Sequence, residues 1–281
     1  MDKQMLLTLP PGSGDIEDLA WSPDEKKLAA VTSRGWLHIW YTSTGVRLFH
    51  QRLSRSHLLT VAWTRRGRAL AVGGEDGALY YIQRLSNPLV SKYLFADPIT
   101  QLAWSSSPLE RCLVVSGEWL TILDRRGQET LMQYQAPILG AAWAADGRTL
   151  AVVCGAGLVD VWDADQHLCK FSSTAIVDPQ CLAWRQDGRR LAIGTRSGHI
   201  YLCDPQAGSI GEARPVSSFP IQALEWGAYY LVAGGEQGDL ALWSEQQQLA
   251  SLQQSIMTFG LNPQGTRLAT ARLGGVALAS L

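Results

Sequence analysis

Apolar and polar residues follow one another in short alternating runs, with little at helical spacing. Ile16 to Trp21, Leu28 to Thr32 and Trp36 to Trp40 are three such runs in succession. Ser22-Pro23-Asp24-Glu25 separates the first two, and Ser33-Arg34-Gly35 the second two. Runs of this length, bounded by Pro, Asp and Gly, predict strands joined by tight turns, because proline presets φ and Asp or Gly suits the later turn positions. The same turn chemistry returns as Ala144-Ala145-Asp146-Gly147, Arg185-Gln186-Asp187-Gly188 and Asn262-Pro263-Gln264-Gly265. A fourth run follows a polar link, as in Val46 to Gln51, Glu129 to Tyr134, His167 to Phe171 and Gln248 to Leu252.

The pattern repeats along the whole chain. Leu19-Ala20-Trp21 returns as Val61-Ala62-Trp63, Leu102-Ala103-Trp104, Ala141-Ala142-Trp143, Leu182-Ala183-Trp184 and Leu224-Glu225-Trp226, with a degraded seventh copy in Phe259-Gly260-Leu261. The last residues of these copies are separated by 42, 41, 39, 41, 42 and 35 positions. Seven residues after the Trp position stands Leu28, Leu70, Leu150, Leu191 or Leu268, and fourteen after it Gly35, Gly77, Gly157, Gly198 or Gly275. The third copy carries Glu118 at the glycine position, and the sixth reaches Gly238 two residues early. A period near 40 residues with about four strands per unit is that of a propeller blade.

The strand count predicts how such a ring closes. Seven copies supply 21 inner strands and the links between them six outer ones, and the seventh copy lacks its outer strand. Lys3 to Leu9 is a spare strand near the other end of the chain. Pairing it into the last blade gives 28 strands and leaves no unfinished sheet. The expectation is an all-β, seven-bladed propeller of four antiparallel strands per blade, a single domain over residues 1–281 closed by its N-terminal strand.

These features resemble the WD40-repeat family. The Trp-Asp pair stands whole as Trp162-Asp163 and in part as Trp40-Tyr41, Leu123-Asp124, Cys203-Asp204 and Trp243-Ser244. The Gly-His pair that opens repeats of that family is absent, and the Asp before the turn glycine occurs once, in Asp76-Gly77. The family's buried Asp-His-Ser-Trp hydrogen-bond set is complete in no blade, so the blades are expected to be held by apolar packing. The resemblance implies a protein-interaction scaffold more than a catalyst, although a fold alone does not fix a function.

Composition narrows the classes. With 46% hydrophobic residues, 17% charged residues and a net charge of −1, the chain reads as a globular protein with a large core and no global field for nucleic acid or a membrane surface. No apolar run approaches the roughly 18 residues of a membrane span, and Met1 to Pro10 lacks the core of a signal peptide, so a cytoplasmic location and no membrane insertion are expected. The five cysteines form no C-x-x-C pair and are expected as small buried hydrophobes.

The search for chemistry returns little. His38, His50, His57, His167 and His199 show no ligand spacing, so no metal is expected. Gly73 to Gly77 and Gly234 to Gly238 look like phosphate loops but join two strands, without the helix N-terminus such loops need. No catalytic residue and no cofactor is expected. The Trp positions are assigned to the core, Trp36 and Trp119 to more open sites, and Tyr229-Tyr230 to partial cover by a neighbouring loop.

Two charged faces remain. Asp15, Glu17, Asp18, Glu75, Asp76 and Asp97 fall on the loops that lead into first strands and on the turns between second and third strands. That side is called the start face below. Arg65, Arg66, Arg68 and Arg84, then Arg111, Arg125 and Arg126, fall on the opposite hairpin face, where Arg148, Arg189 and Arg190 add to them. The expected function is a non-catalytic interaction scaffold or assembly factor, monomeric on its own, with Asp15, Glu17, Asp18, Glu75, Asp76, Asp97, Arg65, Arg66, Arg125 and Arg126 as partner-binding residues. Other proteins are the expected partners. The alternatives are a nucleic-acid or anionic partner on the arginine face, and a small ligand or enzymatic activity in the central channel.

Overall fold

A computed structural model describes residues 5–85, 88–124, 127–227, 229–235, 238–244, 248–253 and 256–281. Each sequence repeat is an antiparallel sheet, and the seven sheets are the blades of an all-β propeller. In blades one to six the strands follow chain order from the first strand outward. Blade one is Ile16–Trp21, Lys27–Thr32, Trp36–Tyr41 and Arg47–Arg52. Blade two is Leu58–Trp63, Ala69–Gly74, Ala78–Gln83 and Leu89–Leu94. The outer strand of blade five is split into Ser209–Ile210 and Arg214–Pro215, so the described residues hold 29 strands where the sequence predicts 28.

Contacts gather these strands into two compact units. One contains the described residues up to Trp104 together with Cys112–Gly117 and Ile256–Leu281; the other contains Ser105–Arg111 and Glu118–Ser255. The first unit holds the predicted closure. Met5–Thr8 pairs with Gly275–Ser280 in the register Met5 to Leu278 and Thr8 to Gly275, and the Leu9 amide donates to the Gly274 carbonyl at 3.1 Å. Gly275 stands in the strand instead of the turn: a Cβ there would lie 2.4 Å from the Leu7 carbonyl oxygen, so only glycine admits the closing strand. The left-handed turn residue is Gly274, at φ 83°.

The core is a set of layers between blades, built by the period-two alternation of each strand. In Lys27–Thr32, Leu28 and Ala30 pack toward blade seven with Leu7, Val276 and Leu278, while Ala29 and Val31 pack toward blade two with Leu70 and Val72. The second unit repeats the device. Val153 and Val161 of blade four meet Leu182 and Ile193 of blade five, whose other face carries Ala192 and Ile200 against Ile221 and Leu224 of blade six.

The repeat Trp adds a hydrogen-bonded stitch. The Trp21, Trp63 and Trp184 indoles donate to the carbonyls of Gly260, Ala20 and Ala142 in the preceding blade, at 2.9, 3.0 and 3.0 Å. The expectation of wholly buried indoles holds for Trp21 and Trp63, while Trp104, Trp143, Trp184 and Trp226 are half-buried. All six end their strands at the hairpin rim of the layer, where the cover over each ring differs; Arg267 and Lys27 lie over the Trp21 and Trp63 rings at 5.1 and 5.9 Å. The Nε1 atoms of Trp104, Trp143 and Trp226 have no partner.

One polar group lies deep in the first unit. His38 is fully buried, shares its face with Trp40 and Ala30, and pairs across the sheet with His50. The two Nδ1 atoms are 3.1 Å apart, Trp36 stacks on His50 at 4.3 Å, and His38 Nε2 has no partner. Burial, then the charges of His50 and Arg47, holds the His38 imidazole down at about 3, and burial also depresses His50. The unfolded chain takes up this proton near pH 6.5 and the folded chain does not. Stability from His38 is therefore intact above about pH 6.5 and is lost progressively as pH falls toward 3. His38→Phe keeps the ring and removes the titration. Urea midpoints from pH 8 to pH 4 are expected to fall faster for the wild type than for this variant. Asp18, whose raised pKa acts in the opposite sense, is common to both proteins and leaves the difference unaffected. Parallel curves would refute the assignment.

Candidate functional site

The start face of the first unit brings several predicted acids together. Asp15, Glu75, Asp76 and Asp97 are exposed and Glu17 is half-exposed. Partial burial raises the Glu17 pKa; His57, 3.8 Å from its carboxylate, opposes this, and the neighbouring charges of Asp15 and Glu75 raise it further. Asp15, Glu17 and Glu75 thus feel one another across blades one and two. Asp76 is a turn residue, accepting from the Ser54 hydroxyl at 3.0 Å and the Ala78 amide at 3.2 Å.

Asp18 has a different place from its neighbours. One carboxylate oxygen accepts from the Val61 amide of blade two and the other from the Leu19 amide, each at 2.8 Å, with the Thr60 hydroxyl also bonded to it. Desolvation nevertheless raises its pKa to about 6. It is a strut between two first strands, so its oxygens are already engaged. The sequence holds a hint of this, since Asp18 is the polar residue beside the Leu-Ala-Trp repeat while Asp15 precedes the strand.

On the hairpin face, Arg65, Arg66, Arg68 and Arg84 of blade two are exposed. Arg125 and Arg126 lie outside the described residues. Several other arginines are paired to acids: Arg185 Nη2 lies 2.6 Å from Asp187, and Arg190 Nη1 3.5 Å from Asp204. Among the described residues, blade two thus holds four exposed arginines on this face, and Arg189 of blade five is exposed as well.

Within the second unit, Leu139, Asp178, Pro179, Gln180, Arg196 and Gln222 line an open cavity of about 340 Å³ at the beginnings of three first strands. It offers amides and one charge of each sign, a set suited to binding a polar chain. Tyr229 is 82% exposed and thus uncovered, unlike the tucked position expected of it, and Trp119 is open as expected. Among the described residues no three His, Cys, Asp or Glu side chains are grouped to hold a metal.

Three comparisons bear on this architecture. The beta-propeller domain of Myceliophteria thermophila Cps50 (Swd1) superposes with a TM-score of 0.82 at 15% identity, covering 99% of this chain and 100% of that one. Residues 174–229 match the family model described as the anaphase-promoting complex subunit 4 WD40 domain. The chain has the fold of a β-propeller, and one segment of it is similar to a WD40 domain. Telomerase protein component 1 of Rattus norvegicus is 26% identical over 235 residues, which is 77% of this chain but only 8% of that protein. WD40 propellers in general serve as protein-interaction scaffolds.

The one whole Trp-Asp pair of this propeller, Trp162-Asp163, anchors an ion network in the second unit. Lys170 lies 2.7 Å and Arg148 3.7 Å from the buried Asp163, whose pKa is lowered chiefly by its bond to Lys170. Arg148 also reaches Asp165 at 2.9 Å. Arg111 is buried, 2.7 Å from Asp165 and 3.1 Å from the Gly147 carbonyl, with its guanidinium 5.3 Å from the Trp143 ring. Arg111 and Arg148, read from the sequence as part of the basic face, are structural instead. Asp163 and Asp165 neutralise them, a pairing foreshadowed only by the Trp-Asp-Ala-Asp run at residues 162–165.

Proposed function

We propose that this propeller is a non-catalytic subunit of a multi-protein assembly and that its start face docks a basic segment of a partner protein. The observation that carries the reading is the Asp15, Glu17 and Glu75 cluster, in which partial burial and the like charges of its neighbours both raise the Glu17 pKa. A partner cation relieves that repulsion, which gives electrostatic steering and selectivity for basic chains. The names of two matched proteins support the assembly role, one being a subunit of the anaphase-promoting complex and the other a component of telomerase. Pairing of Arg111, Arg148, Arg185 and Arg190 with acids weakens the case for nucleic acid on the hairpin face.

The test is a charge reversal that spares the strut. A protein carrying Asp15→Lys, Glu17→Lys and Glu75→Lys is expected to melt like the wild type and to lose the partner captured from native lysate. Arg65→Glu with Arg68→Glu is expected to keep it. Retention of every partner by the acidic-face variant, with loss by the arginine variant, would place docking on the other face.

A further inference from the structure

We infer that the outer strand of blade two, Leu89–Leu94, is a self-association edge that pairs antiparallel with the same strand of a second copy of this chain. This departs from the monomer expected of the sequence and does not depend on the function proposed above.

The strand ends its sheet, so one row of its backbone groups has no ladder partner. Edges of this kind are normally blunted by bulges, charge or brevity. The outer pairings of blades one, three, four and six all carry a register shift, and that of blade five is split. Blade two pairs without a shift over six residues, from Ala78 with Leu94 to Gln83 with Leu89; the closing strand of blade seven, Met5–Thr8, is also regular but only four residues long. Its outer strand is also apolar and open: Leu89, Val90, Tyr93 and Leu94 are 58, 37, 55 and 73% exposed. The outer strand of blade one, Arg47-Leu48-Phe49-His50-Gln51-Arg52, has charge at both ends instead. The one lysine that could guard the blade-two edge is turned aside, with Lys92 Nζ 5.3 Å from the Tyr80 ring centroid.

Backbone geometry selects the register. The Phe95 amide donates inward to the Gly77 carbonyl at 2.8 Å. Antiparallel alternation then turns the groups of Tyr93, Ser91 and Leu89 inward and those of Val90, Lys92 and Leu94 outward. A two-fold axis in an antiparallel pair must set some residue opposite its own copy. Centring on Lys92 would oppose two ammonium groups, which destabilises. Centring on Ser91 sets Leu89 against Tyr93 and Val90 against Lys92 of the second copy, and brings the outward groups of Val90 and Lys92 into hydrogen-bonded pairs. Charge agrees with this choice. The hairpin end of blade two carries the exposed Arg65, Arg66, Arg68 and Arg84, and the start end the exposed Glu75, Asp76 and Asp97. An antiparallel pair lays the basic end of each copy beside the acidic end of the other.

Sedimentation velocity across a concentration series is expected to show mass rising from 30.7 kDa toward twice that value. Ser91→Lys sets like charges on the axis and is expected to keep the protein monomeric at every concentration, with an unchanged melting temperature. Ser91→Cys is expected to give a disulfide-linked dimer on mild oxidation, since the position is a close pair without ladder bonds, whereas Lys92→Cys is not. A wild type that stays monomeric throughout, a dimer indifferent to Ser91→Lys, or equal cross-linking at both cysteine positions would overturn the inference.

Discussion

Deletion of Met1–Pro10 is expected to lower the melting temperature by on the order of 10 °C, because a change of about 1 kcal/mol moves a domain near this size by about 2–4 °C and several kcal/mol are at stake. Leu7 is 1% exposed and packs with Ile16, Leu28, Val276 and Leu278. Its burial alone contributes about 1.5–3 kcal/mol. Met5 and Leu9 pack on the same layer, and the ladder to Gly275–Ser280 is lost with the strand. The deletion also bares Val276 and Leu278 along a new sheet edge, so aggregation is expected to rise. A synthetic peptide of residues 1–10 added in trans is expected to recover part of the loss. A truncated protein that melts with the full chain would show that the strand does not hold the blade.

Trp40→Ala is expected to cost about 3–5 kcal/mol, the range for emptying a large aromatic site in a core. Trp40 is 1% exposed, heads the largest fully buried side chains, and stacks on His38 at 5.5 Å between blades one and seven. Trp184→Ala is expected to cost less, since that indole is half-buried, although it also loses the bond to Ala142. Urea midpoints with unchanged m-values measure both. Equal losses at the two positions would show that burial is not what ranks them.

The charged residues illustrate how far a linear reading carries. Asp15, Glu17, Asp18 and Glu75 look alike in a sequence, as acids close to turns. Asp18 is separated from the others only because its side chain points at the Val61 amide, 43 residues away. Arg111 and Arg148 look like the arginines of blade two until Asp163 and Asp165 are brought against them. Partners distant in sequence, on neighbouring blades for Asp18 and Arg111 and within one blade for Arg148, leave no local signature, since neither residue needs its partner to adopt a strand or a turn.

The seven repeats, their turns and the N-terminal closing strand follow from the chain alone, because they rest on local chemistry: period-two alternation, turn residues at fixed offsets, and a count of strands per repeat. Gly275 marks the boundary of that logic. The repeat assigns it to a turn, and the fold uses it to admit the Leu7 carbonyl. Which charges stay free, how deep each Trp lies and where a sheet edge runs without a bulge were decided only in three dimensions. Each depends on how neighbouring elements pack and on whether partners distant in sequence meet, and a periodic pattern carries no record of either.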